Sequence, residues 1–150
     1  MTVELVLQGI SMNSNGSMSM QISDHTGIRY SNKHFEPGNI EIVCEIEWPT
    51  CVIIDLGNKY NDDIILHPDG TITNKAIEIN SMLINRFPIL YELMESQFNC
   101  THAGSSDITH ENFWGFNGQV KINFDKPSPM HYMLALNNPF EIKRTDWVDK

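Results

Sequence analysis

Oxygen-bearing side chains are concentrated in the segment NKYNDDIILHPDGTITNKAIEIN, which runs from Asn58 to Asn80. A hard cation such as calcium takes roughly six to eight oxygen ligands from carboxylates, amides, backbone carbonyls and water. The candidate metal ligands are Asn61, Asp62 and Asp63, with further oxygens from Asp55 and Asp69. The pattern of an EF-hand loop, D-x-D-x-D-G followed by a distal Glu, is absent. Because Asn, Asp and Gly are also the usual residues of turns, three interpretations stay open: solvated turns, a cation site, or an oxygen-rich site for a polar ligand without a metal.

A second polar segment, CTHAGSSDITHENFWGFN, runs from Cys100 to Asn117. It contains two imidazoles and two carboxylates, those of His102, Asp107, His110 and Glu111. Their spacing matches neither H-x-H with a following Glu nor H-E-x-x-H, so the segment does not indicate a metalloenzyme. Because the segment is polar, contains glycine and is too long for a tight turn, we predict a loop. Loops carry function more often than the elements they join.

The end of this predicted loop carries aromatic side chains beside an amide. Trp114 and Phe116 precede Asn117. An aromatic face stacks on the C–H groups of a sugar ring, while amide and carboxylate oxygens bind its hydroxyls. We therefore predict a ligand site for a glycan or a similar polar molecule, formed by Trp114, Asn117, Asp69 and His102. The alternative is that both aromatic residues enter the core at the start of a strand that begins near Gly118.

Other chemistries lack their motifs. The chain has no G-x-S-x-G elbow, no G-x-x-x-x-G-K-[ST] loop and no G-x-G-x-x-G loop, so we predict no enzymatic activity. The 19 acidic and 10 basic side chains give a net charge of −9, the wrong sign for binding phosphates, and we predict no nucleic-acid partner. The N-terminus MTVELVLQGISMN has no positively charged region and alternates apolar with polar residues. It predicts neither a signal peptide nor a membrane span, and hence synthesis in the cytoplasm.

The predicted secondary structure around these residues is mainly β-strand, because apolar residues recur with a period of two. The clearest case is the segment 39–48, in which Ile40, Ile42, Cys44, Ile46 and Trp48 share one face. The segments 2–8, 17–23 and 118–124 show the same alternation. Turn signals such as Asn15-Gly16 and Pro37-Gly38 separate the strands, often at intervals of about ten residues, as a meander or Greek-key sandwich requires.

Three further runs are apolar on both sides, namely 51–56, 64–66 and 132–136, and we predict that they are inner strands. Between Pro88 and Phe98 the apolar residues recur at helical spacing, which predicts one short helix. The charged tail after Phe140 is predicted to be peripheral, with Trp147 attaching it to the body. At this length we expect a single domain over residues 1–150, a mostly β, antiparallel β-sandwich of jelly-roll type.

In this outline the chain resembles the calcium-dependent carbohydrate-binding modules built on jelly rolls. The residues that suggest the resemblance are D-D-I-I-L-H-P-D-G, from Asp62 to Gly70, the alternating N-K-A-I-E-I-N that follows, and the aromatic loop W-G-F-N-G. The resemblance covers about half of the chain and is architectural. It implies a non-enzymatic module that binds a glycan or another polar ligand, with calcium as its cofactor where the acidic loop holds a cation.

The alternative function is that of a structural or inhibitory protein that acts through a protein–protein interface. It would use an exposed strand edge or the face formed by Glu41, Glu45 and Glu47. Exposed edges pair readily, so homo-oligomerisation is a natural outcome. A short, acidic β-domain also has the general character of phage-encoded accessory or virion proteins, which would place it on a virion after cytoplasmic synthesis.

Overall fold

The computed structural model describes residues 1–132, most of which lie in antiparallel β-strands or the turns between them. In chain order the strands are β1 (Thr2–Met12), β2 (Ser19–Asp24), β3 (Gly27–Asn32), β4 (Gly38–Glu47), β5 (Thr50–Gly57), β6 (Ile65–Leu66), β7 (Ile72–Thr73), β8 (Ala76–Ile84), β9 (Phe87–Pro88), β10 (Asn99–His102), β11 (Phe113–Trp114) and β12 (Gly118–Phe124). The helical segment α1 (Tyr91–Met94) continues as a 3-10 turn over Glu95–Gln97.

The strands form two principal sheets. Sheet A has the order β11-β8-β1-β4, with β9 also paired to β8, and sheet B has the order β10-β12-β5-β2-β3. The short strands β6 and β7 form a separate hairpin. All of these pairings are antiparallel, so the predicted fold class, an antiparallel β-sandwich with one short helix, is confirmed.

The core lies between the two sheets and is built by the period of two along each strand. In β4 the side chains of Ile42, Cys44 and Ile46 are buried, and their neighbours in sequence face outward. In β12 the same pattern buries Val120, Ile122 and Phe124. The predicted alternation is therefore confirmed for these strands, as it is for β1 and β2. Removing these side chains from water is the main favourable contribution to folding.

One predicted inner strand is correct and one is wrong. The run 51–56 lies in β5, which sits between β12 and β2 in the middle of sheet B. The run 64–66 is not an inner strand, because β6 pairs only with the two residues of β7 and Ile64, Ile65 and Leu66 are all exposed. A short apolar run does not reveal whether a second layer covers it.

The predicted helix near Pro88 is confirmed in a shorter form. It spans α1 and the following 3-10 turn, and it buries Met94 and Phe98 at its end. Pro88 itself belongs to β9. The predicted strand 132–136 lies outside the described residues except for Tyr132, and Trp147 lies outside them as well. Within residues 1–132 no helix is long and apolar enough to cross a membrane.

Candidate functional site

Asp63, one of the three predicted metal ligands, lies inside the protein. Its side chain is buried, and Oδ2 lies 3.0 Å from the Nζ atom of Lys75. The same carboxylate accepts hydrogen bonds from the backbone N–H of Tyr60 at 2.7 Å and from Nδ2 of Asn15 at 3.3 Å. The carboxylate that was predicted to be a metal ligand is therefore paired with an ammonium group of the chain itself.

The charged state of Asp63 follows from these contacts. Burial alone would raise the pKa of its carboxyl group, but the Tyr60 N–H, the Lys75 ammonium and the Asn15 amide outweigh burial and lower the pKa. In the neighbouring Lys59, burial lowers the pKa of the ammonium group, and the charge of Asp63 offsets only part of that lowering. The loop before β8 thus holds a carboxylate with two lysines beside it.

The other predicted metal ligands do not converge on Asp63. Asn61 and Asp62 are exposed residues of a 3-10 turn, whereas Asp63, next in sequence, points inward. Among residues 1–132, no three His, Cys, Asp or Glu side chains are grouped so that they could hold a metal ion. Asp69 lies on the β6–β7 turn, where Oδ1 accepts hydrogen bonds from the hydroxyl and the backbone N–H of Thr71. These two bonds lower the pKa of Asp69 and close the turn.

Trp114 was predicted to stack on a sugar, and the structure corrects this prediction. The residue is 0% exposed, and its ring packs edge-on against Phe98 with 5.1 Å between ring centroids. Its Nε1–H donates to the backbone carbonyl of Glu111 at 2.7 Å, which satisfies the one polar group of the indole. The alternative, that Trp114 enters the core before β12, is the one the structure bears out.

Asn117 lies near Trp114 in sequence but has a structural role. Its Oδ1 accepts from the backbone N–H of Lys59 at 2.8 Å, and its Nδ2 donates to the backbone carbonyl of Lys59 at 2.9 Å. Both ends of the amide are therefore used to fix the start of the segment 58–75 against β12. These two bonds use one N–H and one lone pair of the amide and hold the exposed side chain in a fixed orientation.

His102 belongs to a small polar group at the end of β10. Its ring stacks on Phe116 with 3.9 Å between centroids, and its Nε2 lies 2.7 Å from Oε2 of Glu111. Burial alone would raise the pKa of Glu111, but the Thr109 hydroxyl and His102 outweigh burial and lower the pKa. Because His102 pairs with Gly118 across β10 and β12, it lies close to Asn117. Within residues 1–132, no hydrogen bond or ion pair joins Asp69 to this group.

A groove that was not predicted from the sequence crosses the outer face of sheet A. It is open, has a volume of about 560 Å³, and lies over β4, β1 and β8. Its lining consists of Gln8, Gly9, Asn39, Ile40, Glu41, Asn80 and Ser81. We call it the sheet A groove. Three of its side chains form a hydrogen-bonded chain across the strands: the Ser81 hydroxyl donates to Gln8 Oε1 at 2.7 Å, and Gln8 Nε2 donates to Glu41 Oε2 at 2.8 Å.

A β-bulge between β1 and β8 shapes the sheet A groove. The register shifts between Gln8 and Gly9, so that Gln8 lies opposite Ser81 while Gly9 lies opposite Ile79. A Cβ atom at Gly9 would lie 1.8 Å from the carbonyl oxygen of Glu78, so only glycine allows the strands this close approach. Because of the extra residue, Asn80 and Ser81 line the groove together, which regular alternation would prevent. The sequence signal was an isolated glycine inside an alternating strand.

Two amides of the sheet A groove are available to a ligand. Asn39 and Asn80 are exposed, and neither side chain hydrogen bonds to another residue within 1–132. The neighbouring row on the same face is apolar: Val6 lies between Val43 of β4 and Leu83 of β8. This row lines a second hollow, of about 340 Å³, that shares Gln8 and Glu41 with the groove.

An aromatic ring borders the same face. Phe113 pairs with Glu78, and Glu78 pairs with Ile10, so the three side chains point to the same side of sheet A. Ile10 in turn pairs with Asn39. Phe113 is 37% exposed. The outer face therefore combines free amides, a hydrogen-bonded hydroxyl–amide–carboxylate chain, an apolar row and a partly exposed aromatic ring.

Comparisons with known proteins show a likeness of fold. Protein-family models and curated proteins give no match to the sequence. The solved structure of vCBM60 in complex with galactobiose has a TM-score of 0.53 at 9% identity, covering 80% of this chain and 97% of that chain. The selenomethionine form of vCBM60, from work on a circular permutation linking two families of calcium-dependent carbohydrate binding modules, has a TM-score of 0.51 at 8% identity, covering 81% and 90% of the two chains. The predicted resemblance to carbohydrate-binding modules is thus confirmed for the fold.

Proposed function

We propose that this chain is a non-enzymatic glycan-binding module and that the sheet A groove binds the sugar. The observation that carries the proposal is the pair of exposed amides, Asn39 on β4 and Asn80 on β8, beside the hydrogen-bonded Ser81–Gln8–Glu41 chain. The likeness in fold to vCBM60, solved with galactobiose, supports the proposal.

The chemistry of the sheet A groove suits a sugar. Each sugar hydroxyl both donates and accepts hydrogen bonds, and a side-chain amide offers two donors and one acceptor in a fixed plane. Gln8 is held in place by Ser81 and Glu41, so it does not lose rotamer freedom on binding. The apolar row through Val6 and the ring of Phe113 provide surface for the C–H groups of the sugar ring.

Calcium is considered separately, because one of the two similar structures comes from work on calcium-dependent modules. Asp63 does not fit a calcium site, since its carboxylate is paired with Lys75. Asn61 and Asp62 supply two exposed side chains, whereas calcium requires roughly six to eight oxygen ligands. The binding that we propose consists of direct hydrogen bonds and apolar contacts in the sheet A groove.

The experiment is a binding screen followed by calorimetry. The purified protein is tested in EDTA and in millimolar calcium against galactobiose, lactose, cellobiose and a wider oligosaccharide array. The best ligand is then titrated into the wild type, into the double variant Asn39→Ala/Asn80→Ala, and into Asn123→Ala. Asn123 is an exposed amide on sheet B and serves as the matched control.

We expect the double variant to weaken binding about tenfold or more, because each lost hydrogen bond contributes about 0.5 to 1.5 kcal/mol. Asn123→Ala should bind as the wild type does. Binding that is unchanged in the double variant would rule out the sheet A groove as the site. Failure of every oligosaccharide to bind would reject the glycan-binding function and favour a protein partner for the face that carries Glu41 and Glu45.

A further inference from the structure

The segment 58–75 joins the two sheets of the sandwich. It leaves β5 in sheet B at Gly57 and enters β8 in sheet A at Ala76. Between these points it contains a 3-10 turn and the small β6–β7 hairpin, and the apolar side chains of that hairpin are exposed. Apolar burial therefore does little to hold this segment in place, and polar contacts must supply the rest.

Lys75 provides the central contact of the segment. Its side chain is 1% exposed, and its ammonium lies 3.0 Å from Asp63 Oδ2 and 2.9 Å from the backbone carbonyl oxygen of Asn58. The ammonium also lies 5.6 Å from the centroid of the Tyr60 ring. The ammonium of Lys75 thus contacts a carboxylate, a backbone carbonyl and an aromatic ring, all from the segment 58–75.

Asp63 extends these contacts to a second loop. It accepts from the Tyr60 N–H, and it accepts from Asn15 in the connection between β1 and β2. Asn58 adds a further bond to that connection, because its Nδ2 donates to the backbone carbonyl of Ser17 at 2.8 Å. The β1–β2 connection is therefore linked directly to Asp63, and it is linked to Lys75 through Asn58.

We propose that the ammonium of Lys75 takes the place of a bound metal ion in this loop. It neutralises Asp63 and draws together the oxygens that a divalent cation would otherwise organise. A second ammonium, that of Lys59, donates to Asn74 Oδ1 and to the backbone carbonyl of Lys75, so an incoming cation would also meet its repulsion. The segment 58–75 consequently folds without calcium, although the chain shares its fold with a module from work on calcium-dependent families. The proposal does not depend on glycan binding.

The test measures thermal unfolding of the full chain without any sugar, first in EDTA and then in millimolar calcium chloride. We expect the same midpoint in both solutions, since a ligand that binds only the folded state must raise it. A higher midpoint in calcium that Asp63→Asn abolishes would overturn the proposal. A shift that Asp63→Asn retains would place calcium elsewhere and leave the segment independent of metal, as proposed.

A second variant tests whether the ammonium occupies a cation position. Lys75→Met removes the charge and keeps most of the side-chain length, so it frees Asp63 and the Asn58 carbonyl. We expect a lower midpoint than in the wild type and, once Lys59→Met also removes the neighbouring positive charge, a rise on adding calcium that disappears when Asp63→Asn is added. A folded Lys59→Met/Lys75→Met variant with no calcium response would contradict the proposal. If the Lys75→Met variants do not fold, the proposal is tested by the effect of calcium on the thermal midpoints of the wild type and Asp63→Asn.

Discussion

The Nζ atom of Lys75 lies 3.0 Å from Oδ2 of Asp63, and each side chain is 1% exposed. Two opposite charges are therefore enclosed together in a segment that contains only a 3-10 turn and the short β6–β7 hairpin. A buried pair of this kind contributes little compared with a well-packed apolar pair, but removal of one partner leaves the other charge unpaired inside the protein. This asymmetry gives the first prediction.

Lys75→Ala should lower the free energy of unfolding by about 3 to 5 kcal/mol, because Asp63 would remain buried without its counter-charge. Urea denaturation followed by tryptophan fluorescence measures the change. Lys121→Ala is the control: Lys121 is exposed on β12, and its loss should cost no more than about 0.5 kcal/mol. Equal stability of the two variants would show that the pair does not form.

Trp114→Ala should also destabilise the protein, by about 3 to 5 kcal/mol, because the ring is fully buried against Phe98. Phe113→Ala, which removes the partly exposed neighbouring ring, should cost much less. The same denaturation experiment measures both. A Trp114→Ala variant with normal stability and lost glycan binding would restore the stacking role that the sequence predicted.

Asp24 gives a prediction about pH. Burial alone would raise its pKa, but hydrogen bonds from the Thr26 hydroxyl and from the backbone N–H groups of Glu47 and Thr26, together with Arg29, lower the pKa from 3.8 to about 2. A depressed pKa contributes stability above the unfolded-state value, and that contribution is lost as the pH falls toward the folded-state value.

Asp24→Asn should therefore cost about 2 kcal/mol near neutral pH and progressively less between about pH 4 and pH 2. Unfolding free energies of the wild type and the variant across that range measure the difference, with the exposed loop residue Asp107→Asn as the control. A difference that stays constant down to pH 2 would mean that the contacts of Asp24 act through packing and not through its charge.

Gly9→Ala tests the bulge that shapes the sheet A groove. The new Cβ would lie 1.8 Å from the Glu78 carbonyl, so β1 and β8 would have to separate. We expect a loss of about 1 to 3 kcal/mol or more from overpacking, together with weaker glycan binding. Gly16→Ala is a useful comparison, because no atom lies within 4 Å of a Cβ at that position, although its φ of 93° makes alanine strained there. Normal stability of Gly9→Ala would show that the strands are not in this register.

The strands were predictable because their pattern is local. In β4 and β12 every second residue is apolar, and that period alone decides which face is buried. A different local pattern, the continuous apolar run of Ile64, Ile65 and Leu66, did not predict burial, because exposure there depends on which other elements cover the hairpin. Strand order could not be predicted, since β1 lies between β4 and β8, both distant from it in sequence.

The candidate site was less predictable than the fold. Asp63 was recognisable as an oxygen ligand from its residue type. Its partner Lys75 follows a hairpin, and nothing in the sequence indicates that this lysine is buried. The aromatic ring of Trp114 is of a type that stacks on sugars. Only its pairing with Ile77 in sheet A shows that it belongs to the core. The sheet A groove brings together residues from β1, β4 and β8, and Gly9 was the one local sign of it.

The most direct test of the proposed function is the mapping of a bound oligosaccharide by NMR. The best ligand from the screen is titrated into isotopically labelled protein, and the backbone and side-chain amide signals are followed. We expect the NH₂ signals of Gln8, Asn39 and Asn80 to shift, while that of Asn117 stays in place. Shifts of the Asn117 NH₂ signal and of the backbone amide signals of His102 and Asp69, with the groove amides unchanged, would contradict the proposed site.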